Sequence, residues 1–557
     1  MGEKYSMRKG IIGIFVATLL IATAVLPAVG IINEKICPIN DTLLPPSAAW
    51  RKTFGGNEFD HFHSARQTSD GGYIACGITE ESNEYYAWLV KVNPDGDEEW
   101  SKVNYDINGT HVENTEMWIS AFDVTETSDN GFLVCGVSMY PEEYEGVTYW
   151  LPTGYLWKTD NEGNTQWIKH YLEKNYEDLI YGLYFIYNVI EVSNGFVGGA
   201  AIYYSDVDGI IVNSTGSILK TDLSGNKLWN KDYGRGTDEN SLSSIYHTKD
   251  GGYFLGGFVK GPEFKGDNAL WMVKTDEDGV LKWDQIFDGP DFEYTSGKGF
   301  FQTSDGGYIM NGVSTSYGQG GTDVWLIKTD SNGDEEWNKT YGYENYDYCW
   351  GMCGADNDGF AIGICLNWAS MFEDADICII ETDGDGNIEW ISEFENEGDQ
   401  NTRSVNPTND GGYIVGGMTS TEFGDPDCDA ILYKINSFDN RQPTKPTITG
   451  DHKGKPEKEY TFTASSSDPD DQQIFYMWDW GDGNYSEWLN TTKATYSWAN
   501  EDNFEIKVLV KDFYGYESEW SDPFAFSTPR GKTVNPIYWL FENFPILSQI
   551  LQQFLKI

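Results

Sequence analysis

Six histidines, eight cysteines and a set of acidic turns are the groups in this 557-residue chain whose types and spacing would do chemistry. His61 and His63 stand one residue apart, so on a strand they share a face, which is how an imidazole metal pair begins. A metal centre needs three or four ligands, and no third recurs at a fixed distance, so ordinary strand histidines are expected. Cys349 and Cys353 have the spacing of half a zinc site without the second Cys/His pair that completes one. The turns Asp383-Gly384-Asp385-Gly386-Asn387 and Asp276-Glu277-Asp278-Gly279 have the look of calcium loops. An EF-hand loop requires Glu at its twelfth position, and counted from Asp383 that position is Phe394. At most weak surface calcium is expected of these turns, and of Asp468, Asp470 and Asp471. The sequence holds no nucleophile elbow, zinc-protease helix or phosphate-cradling glycine loop ahead of a helix. It therefore assigns no catalytic, cofactor-binding or metal residue.

The acidic turns recur, and the recurrence gives the elements. A Lys or Glu at a strand end is followed by a turn and then a Trp at a fixed distance in Lys91–Trp100, Lys158–Trp167, Lys220–Trp229, Lys274–Trp283, Lys328–Trp337 and Glu381–Trp390. A seventh strand end, Lys434-Ile435-Asn436, has no Trp after it. In phase with these runs a second motif, as in Asp70-Gly71-Gly72-Tyr73 and Asp305-Gly306-Gly307-Tyr308, whose second glycine returns every 52 to 64 residues. Asp-Gly and Gly-Gly between apolar runs mark hairpins, because such turns need positive φ.

One unit, residues 292–341, reads as four short antiparallel strands: near Thr295–Thr303, Gly307–Val313, Asp323–Thr329 and Glu335–Tyr341. Seven such units make a propeller, each unit a blade. The missing seventh Trp is supplied from the other end of the domain, as Trp50 in a strand Trp50–Phe54, so the N-terminus is expected to complete the last blade and close the ring. The expected fold is all-β: a seven-bladed propeller over 48–440. The Lys-Thr-Asp-x-x-Gly-x-x-x-Trp rhythm resembles the Trp-docking repeats of PQQ-type β-propellers. The longer pattern resembles propeller repeats common in exported archaeal and bacterial proteins. That resemblance implies a fold and does not imply an activity.

The rhythm stops at a Pro-bearing linker, Arg441 to Pro446. Beyond it, Tyr476-Met477-Trp478-Asp479-Trp480-Gly481-Asp482-Gly483, with Thr495-Tyr496-Ser497-Trp498 and Val508-Leu509-Val510-Lys511-Asp512, closely resembles PKD-type Ig-like domains. The usual Phe before Gly-Asp-Gly is here Trp480. The resemblance implies a β-sandwich over 443–528, serving as a spacer or adhesive module outside the cell. After it, residues 529–557 end in a short amphipathic helix from Pro545. Its apolar stripe of Ile546, Leu547, Ile550, Leu551, Phe554 and Leu555 is expected to dock a membrane surface or a partner. It is too short to span a bilayer.

At the other end, Lys4, Arg8 and Lys9 precede an apolar stretch from Ile11 to Leu26 and then small residues. This reads as a signal peptide or an N-terminal membrane anchor over 1–30, with 31–47 as linker, and either reading takes the body out of the cytoplasm. The formal net charge of -51, from 88 acidic against 37 basic residues, argues against nucleic acid as a partner. Cys76 and Cys135 occupy matching strand positions and are expected to be small buried residues. Cys349 and Cys365 would face each other across a hairpin. Glycosylation sequons stand at Asn40, Asn108, Asn213, Asn338, Asn484 and Asn490, of which Asn338 is the least accessible to modification beside its docking Trp.

The resulting expectation is a non-catalytic, exported or cell-surface binding and adhesion scaffold. Its partner would be an extracellular protein or glycan met by rim loops such as Tyr140–Leu151 and Tyr203–Thr215, where Tyr140, Tyr144, Tyr149 and Trp150 would stack on sugar or protein. The rival is an extracytoplasmic propeller enzyme, either a PQQ-type dehydrogenase or one acting on polysaccharide. An inert ring would line its channel with Ser, Thr, Gly and apolar residues. An enzyme would converge titratable groups there.

Overall fold

The motif of Asp70-Gly71-Gly72-Tyr73 and its counterparts in the other six units does close the hairpin between the first and second main strands of an antiparallel sheet. The computed structural model describes residues 48–529, apart from segments of which the longest are 106–117, 367–375 and 420–427, together with Ile546. The export or anchor segment, the linker 31–47, the C-terminal helix and the sequons at Asn40 and Asn108 therefore lie outside the described residues. Among those described, no helix is long and apolar enough to cross a membrane. The chain divides near residue 438 into two compact units, each taken by itself below.

The first unit holds seven sheets of four main strands. Their innermost strands are Asp60–Gln67, Ile119–Glu126, Ile180–Val192, Glu239–His247, the interrupted pair Glu293–Tyr294 and Phe301–Gln302, Tyr348–Gly354, and Gln400–Pro407. The third sheet adds a short fifth strand, Glu173–Asn175. The fifth differs from the expected continuous strand, because residues between Tyr294 and Phe301 leave the ladder. Apolar side chains fill each seam between neighbouring blades. Ile74, Leu89 and Ile119, for instance, join the first blade to the second, and Ile414, Leu432 and Phe62 join the seventh back to the first. The ring is closed.

Closure is made as the repeat requires. Ala48–Phe54 is the outer strand of the seventh blade, pairing antiparallel with Asp429–Ile435, and its Trp50 lies opposite Lys434. The same cross-strand pair occurs in the other blades, from Lys91 opposite Trp100 to Glu381 opposite Trp390. The glycine of the motif has two physical reasons. At Gly163 φ is +75°, the left-handed region that only glycine enters freely. A Cβ there would also stand 2.6 Å from the Trp100 ring of the preceding blade. The repeat thus locks six of the seven Trp rings, all but Trp390, under the next blade's turn.

The lysine of the motif ties two turns together. Lys274 is buried, and its Nζ donates to Asp250 of the first hairpin turn at 3.0 Å and to the Thr275 carbonyl at 2.7 Å. Lys328 does the same with Asp305 and Thr329, but has a third acceptor in Glu336 at 2.7 Å. In the third blade the turn has no Asp, and Lys220 turns to the Tyr253 hydroxyl instead. In the sixth, Ala355 and Asn357 stand where other blades have Thr and Asp. There Glu381 replaces the lysine and accepts from the Tyr413 hydroxyl. Because a buried ammonium needs acceptors, Asp250→Ala is expected to destabilise the domain by about 2 kcal/mol and Asp305→Ala by about 1 kcal/mol. Denaturant unfolding of the two variants measures the difference, and equal losses would show that the carboxylate serves its turn rather than the lysine.

Strand alternation sorts the loops. Both tight turns of the first six blades, and the one tight turn of the seventh, fall on one face of the ring, and the connections between second and third strands fall on the other. On that second face the expected rim loops of blades two and three are strands. Phe132–Tyr144 and Val147–Thr159 stay paired out to Tyr144 opposite Val147, and Gly195–Ser205 pairs with Ile211–Thr221 out to Ser205 opposite Ile211. The side chains of Tyr140, Tyr144, Tyr149 and Trp150 lie outside the described residues. A continuous backbone ladder satisfies the groups that a loop would leave to water.

The second unit is a sandwich of two three-stranded sheets. Thr447–Thr449, Tyr460–Ser465 and Lys493–Tyr496 form one, and Phe475–Asp479, Asn503–Lys511 and Phe524–Ser527 the other. The substituted Trp480 is buried between rings, stacked on Trp478 at 5.5 Å and on Tyr496 at 4.6 Å.

Candidate functional site

The channel along the ring axis is where seven unlike side chains meet. Each uninterrupted innermost strand has a β-bulge, and the residue the ladder skips is His63, Phe122, Tyr187, Ser243, Trp350 or Arg403. A bulge leaves its extra residue unpaired and re-aims the side chain. In the fifth blade the interruption does the same work and supplies Lys298. Contacts run between these residues around the ring: His63 packs edge-on to Phe122 at 5.3 Å, Phe122 stacks on Tyr187 at 5.3 Å, and Arg403 lies over the Trp350 ring at 4.4 Å. Lys298 reaches across the axis to the carbonyls of His63 and Phe122.

At the centre Asp123 is fully buried. It accepts from Ser64 Oγ at 2.7 Å, Arg66 at 3.2 Å, Asn188 Nδ2 at 2.5 Å and Lys298 Nζ at 3.4 Å. Burial alone would raise its carboxyl. The charges of Arg66 and Lys298, with the hydrogen bonds, outweigh burial and hold it at about 2. It is ionised at every ordinary pH, a counter-ion with its lone pairs in use.

The two histidines that sequence singled out are here, and they do form a pair. His63 Nδ1 lies 2.8 Å from the Ala121 carbonyl, and His61 Nε2 lies 2.9 Å from His63 Nε2. A carbonyl only accepts, so His63 donates from Nδ1 and accepts at Nε2, and His61 is the donor to it. Both rings are neutral in this relay. Burial, aided by the Arg403 charge, pushes His61 down to about 3, and burial with its charged neighbours takes His63 well below the usual imidazole value. Among the described residues no group of three His, Cys, Asp or Glu side chains is placed to hold a metal.

The described cysteines, Cys76 and Cys135 among them, are buried, and none of them forms a disulfide with another. Cys349 and Cys365 do not face each other, since Ile364 lies opposite Cys349 and Tyr348 opposite Cys365. Burial pushes both thiols up to about 12, which keeps them protonated and inert. The described sequons at Asn213, Asn338, Asn484 and Asn490 are exposed. The Asn338 amide is engaged, accepting from Trp325 Nε1 at 3.1 Å and donating to Glu335 at 2.6 Å.

Sequence reasoning reached only one of the seven channel residues, His63. The signal was present all the same, because each of the seven stands seven positions before the Asp or Asn of its blade's first hairpin turn, from His63 before Asp70 to Arg403 before Asp410. The position is fixed while the residue type is free, so a search for repeated residues passes over it.

Residues 440–526 match the PKD domain family, where the motifs led to an expected span of 443–528. A microbial collagenase of Vibrio alginolyticus is 27% identical over 151 residues, which are 26% of this chain and 17% of that protein. The chain thus spans about a sixth of that relative. The PKD domain of an M14-like peptidase from a Thermoplasmatales archaeon is 27% identical, covering 16% of this chain and 99% of that one, with a TM-score of 0.16. A puromycin hydrolase is 12% identical over 76% of this chain and 62% of its own, with a TM-score of 0.41. A polysaccharide lyase is 10% identical over 69% and 91%, with the same TM-score of 0.41. The protein is all-β, seven sheets arranged as a propeller and followed by a PKD domain.

Proposed function

We propose that this is an exported or cell-surface binding and adhesion scaffold, with one face of the propeller as its interaction surface and the PKD domain as spacer. The observation that carries the reading is the unequal construction of the two faces. Short turns of one chemistry fix one face blade after blade, while the other grows paired hairpins in blades two and three. A scaffold that varies only where variation leaves the core untouched suits recognition of an extracellular protein or glycan.

One observation favours the rival enzyme reading: the channel is not the inert lining of Ser, Thr, Gly and apolar residues that a plain ring would have. His61, His63, Asp123, Lys298 and Arg403 converge there. Their bonding supports a structural role, because Asp123 is saturated with donors and both imidazoles are held neutral, which leaves neither suited to exchange protons near pH 7. The purified chain is expected to bind immobilised extracellular glycan or protein in a manner lost when residues 140–151 and 203–215 are replaced by tight turns. Quinone-dependent alcohol oxidation, or release of sugar from polysaccharide, by the purified chain would overturn the reading. Fractionation of cells with and without residues 535–557 tests the tail. Release of only the shortened form supports attachment, and equal release removes that role.

A further inference from the structure

The channel carries more positive charge than its own carboxylate answers. Three cations, Arg66, Lys298 and Arg403, converge on a throat whose one carboxylate among the described residues is Asp123, in a chain with a formal charge of -51. Arg66 and Lys298 share Asp123. Arg403 has no such partner among the described residues. Its contact there is the Trp350 face, and its buried Nε has no hydrogen-bond acceptor. A guanidinium carries five N–H donors, and leaving a buried charge unpaired is costly. The site is nevertheless reached by solvent, since Arg403, His63 and Trp350 are each partly exposed and the Lys298 side chain is 19% exposed.

We propose that the axial channel binds a small carboxylate anion, held by the guanidinium of Arg403 with Trp350 behind it. The chemistry selects the class. A guanidinium presents two parallel N–H groups in one plane, which match the two oxygens of a carboxylate. One face of the guanidinium is covered by the Trp350 ring, 4.4 Å away, so a ligand meets its N–H groups along the remaining edge, where a bidentate carboxylate is the matching partner. The excess positive charge with Lys298 nearby supplies the field. Phe122 and Tyr187, stacked on each other, make the lining of the throat partly aromatic, so the carboxylate belongs either to a simple organic acid or to a hexuronic acid, whose ring has an apolar side. This site is separate from the rim and does not depend on what the rim recognises.

Titration calorimetry of the full chain with sodium acetate and with sodium glucuronate, at constant ionic strength, tests it. Saturable binding of at least one of these is expected, weakened about tenfold or more in Arg403→Gln and only partly retained in Arg403→Lys, which keeps the charge without the fork. Glucuronate binding tightly where acetate and glucose do not would assign the acidic sugar. Equal binding of acetate and glucuronate would assign the carboxylate alone. Because Arg403→Gln removes an unpaired buried charge, its melting temperature without ligand should be no lower than that of the parent. Absence of saturable binding in the parent, equal binding by Arg403→Gln, or chloride competing as well as either carboxylate would overturn the proposal.

Discussion

Asp123→Ala is expected to destabilise the propeller by about 3–5 kcal/mol, the cost of breaking a buried ion pair by removing one partner. The carboxylate ties its own blade, the second, to three others. Ser64 and Arg66 come from the first, Asn188 from the third and Lys298 from the fifth. Without it two cations face each other in a throat that already contains Arg403. Asp123→Asn should be nearly as damaging, since it keeps an acceptor and removes the charge. Acid should do reversibly what the mutation does permanently. The folded carboxyl, at about 2, lies below its value in the unfolded chain, so its stabilisation is present in full above about pH 4 and is lost as pH falls towards 2. That loss amounts to about 2 kcal/mol. The neutral histidines add to it with the same sign. His61, lowered to about 3, takes up its proton more readily when unfolded, so stability declines as pH falls below about 6.5. Denaturant midpoints of the parent and Asp123→Asn from pH 7 to pH 2 give the check. A parent curve that stayed level down to pH 3, or curves that ran parallel below pH 4, would remove the ionised carboxylate from its assigned place.

Trp50→Ala should lower the melting temperature more than the equivalent change at an internal blade, Trp229→Ala. The two rings do comparable local work, each lying under a glycine of the next blade's turn. A Cβ added at Gly279 would stand 3.0 Å from the Trp229 ring, and one added at Gly96 would stand 2.8 Å from the Trp50 ring. Trp50 also donates from Nε1 to the Pro94 carbonyl at 3.0 Å and meets Tyr73 edge-on at 5.5 Å. Loss of a large aromatic from such a half-buried site costs about 3 kcal/mol. The difference lies in topology. Lys227–Tyr233 continues its own hairpin, whereas Ala48–Phe54 reaches Asp429–Ile435 across the whole length of the ring. When its anchor is lost, the strand gives up a long loop closure, and the seventh blade is left with an open edge. Amide exchange should accordingly quicken in Asp429–Ile435 for Trp50→Ala and stay slow there for Trp229→Ala. If Trp50→Ala melted no earlier than Trp229→Ala, the sealing strand would have no special role.

Much of the ring was legible because its turns are local. Lys158, Gly163 and Trp167 act within ten residues of one another, so one blade's chemistry repeats in its own sequence. The PKD core was legible for the same reason, through Trp478, Trp480 and Trp498. Reading residues 140–151 and 203–215 as loops failed because polar, aromatic-rich hairpin extensions have no turn signal until their tips. The break in the fifth blade's inner strand was equally hidden, since Thr295 to Thr303 holds nothing that forbids a strand.

The sequence by itself determined the number of blades, the closing of the ring by Trp50 opposite Lys434, and the sandwich that follows, because each is written in short-range turn and pairing chemistry. Only the tertiary structure decided what the ring encloses. His63, Asp123, Lys298 and Arg403 lie in four different blades, and a charge acquires its partner, or goes without one, only when strands far apart in the chain are brought to one axis. Arg403 looks in sequence like any other arginine; its place over Trp350, away from the shared carboxylate, is a property of the fold.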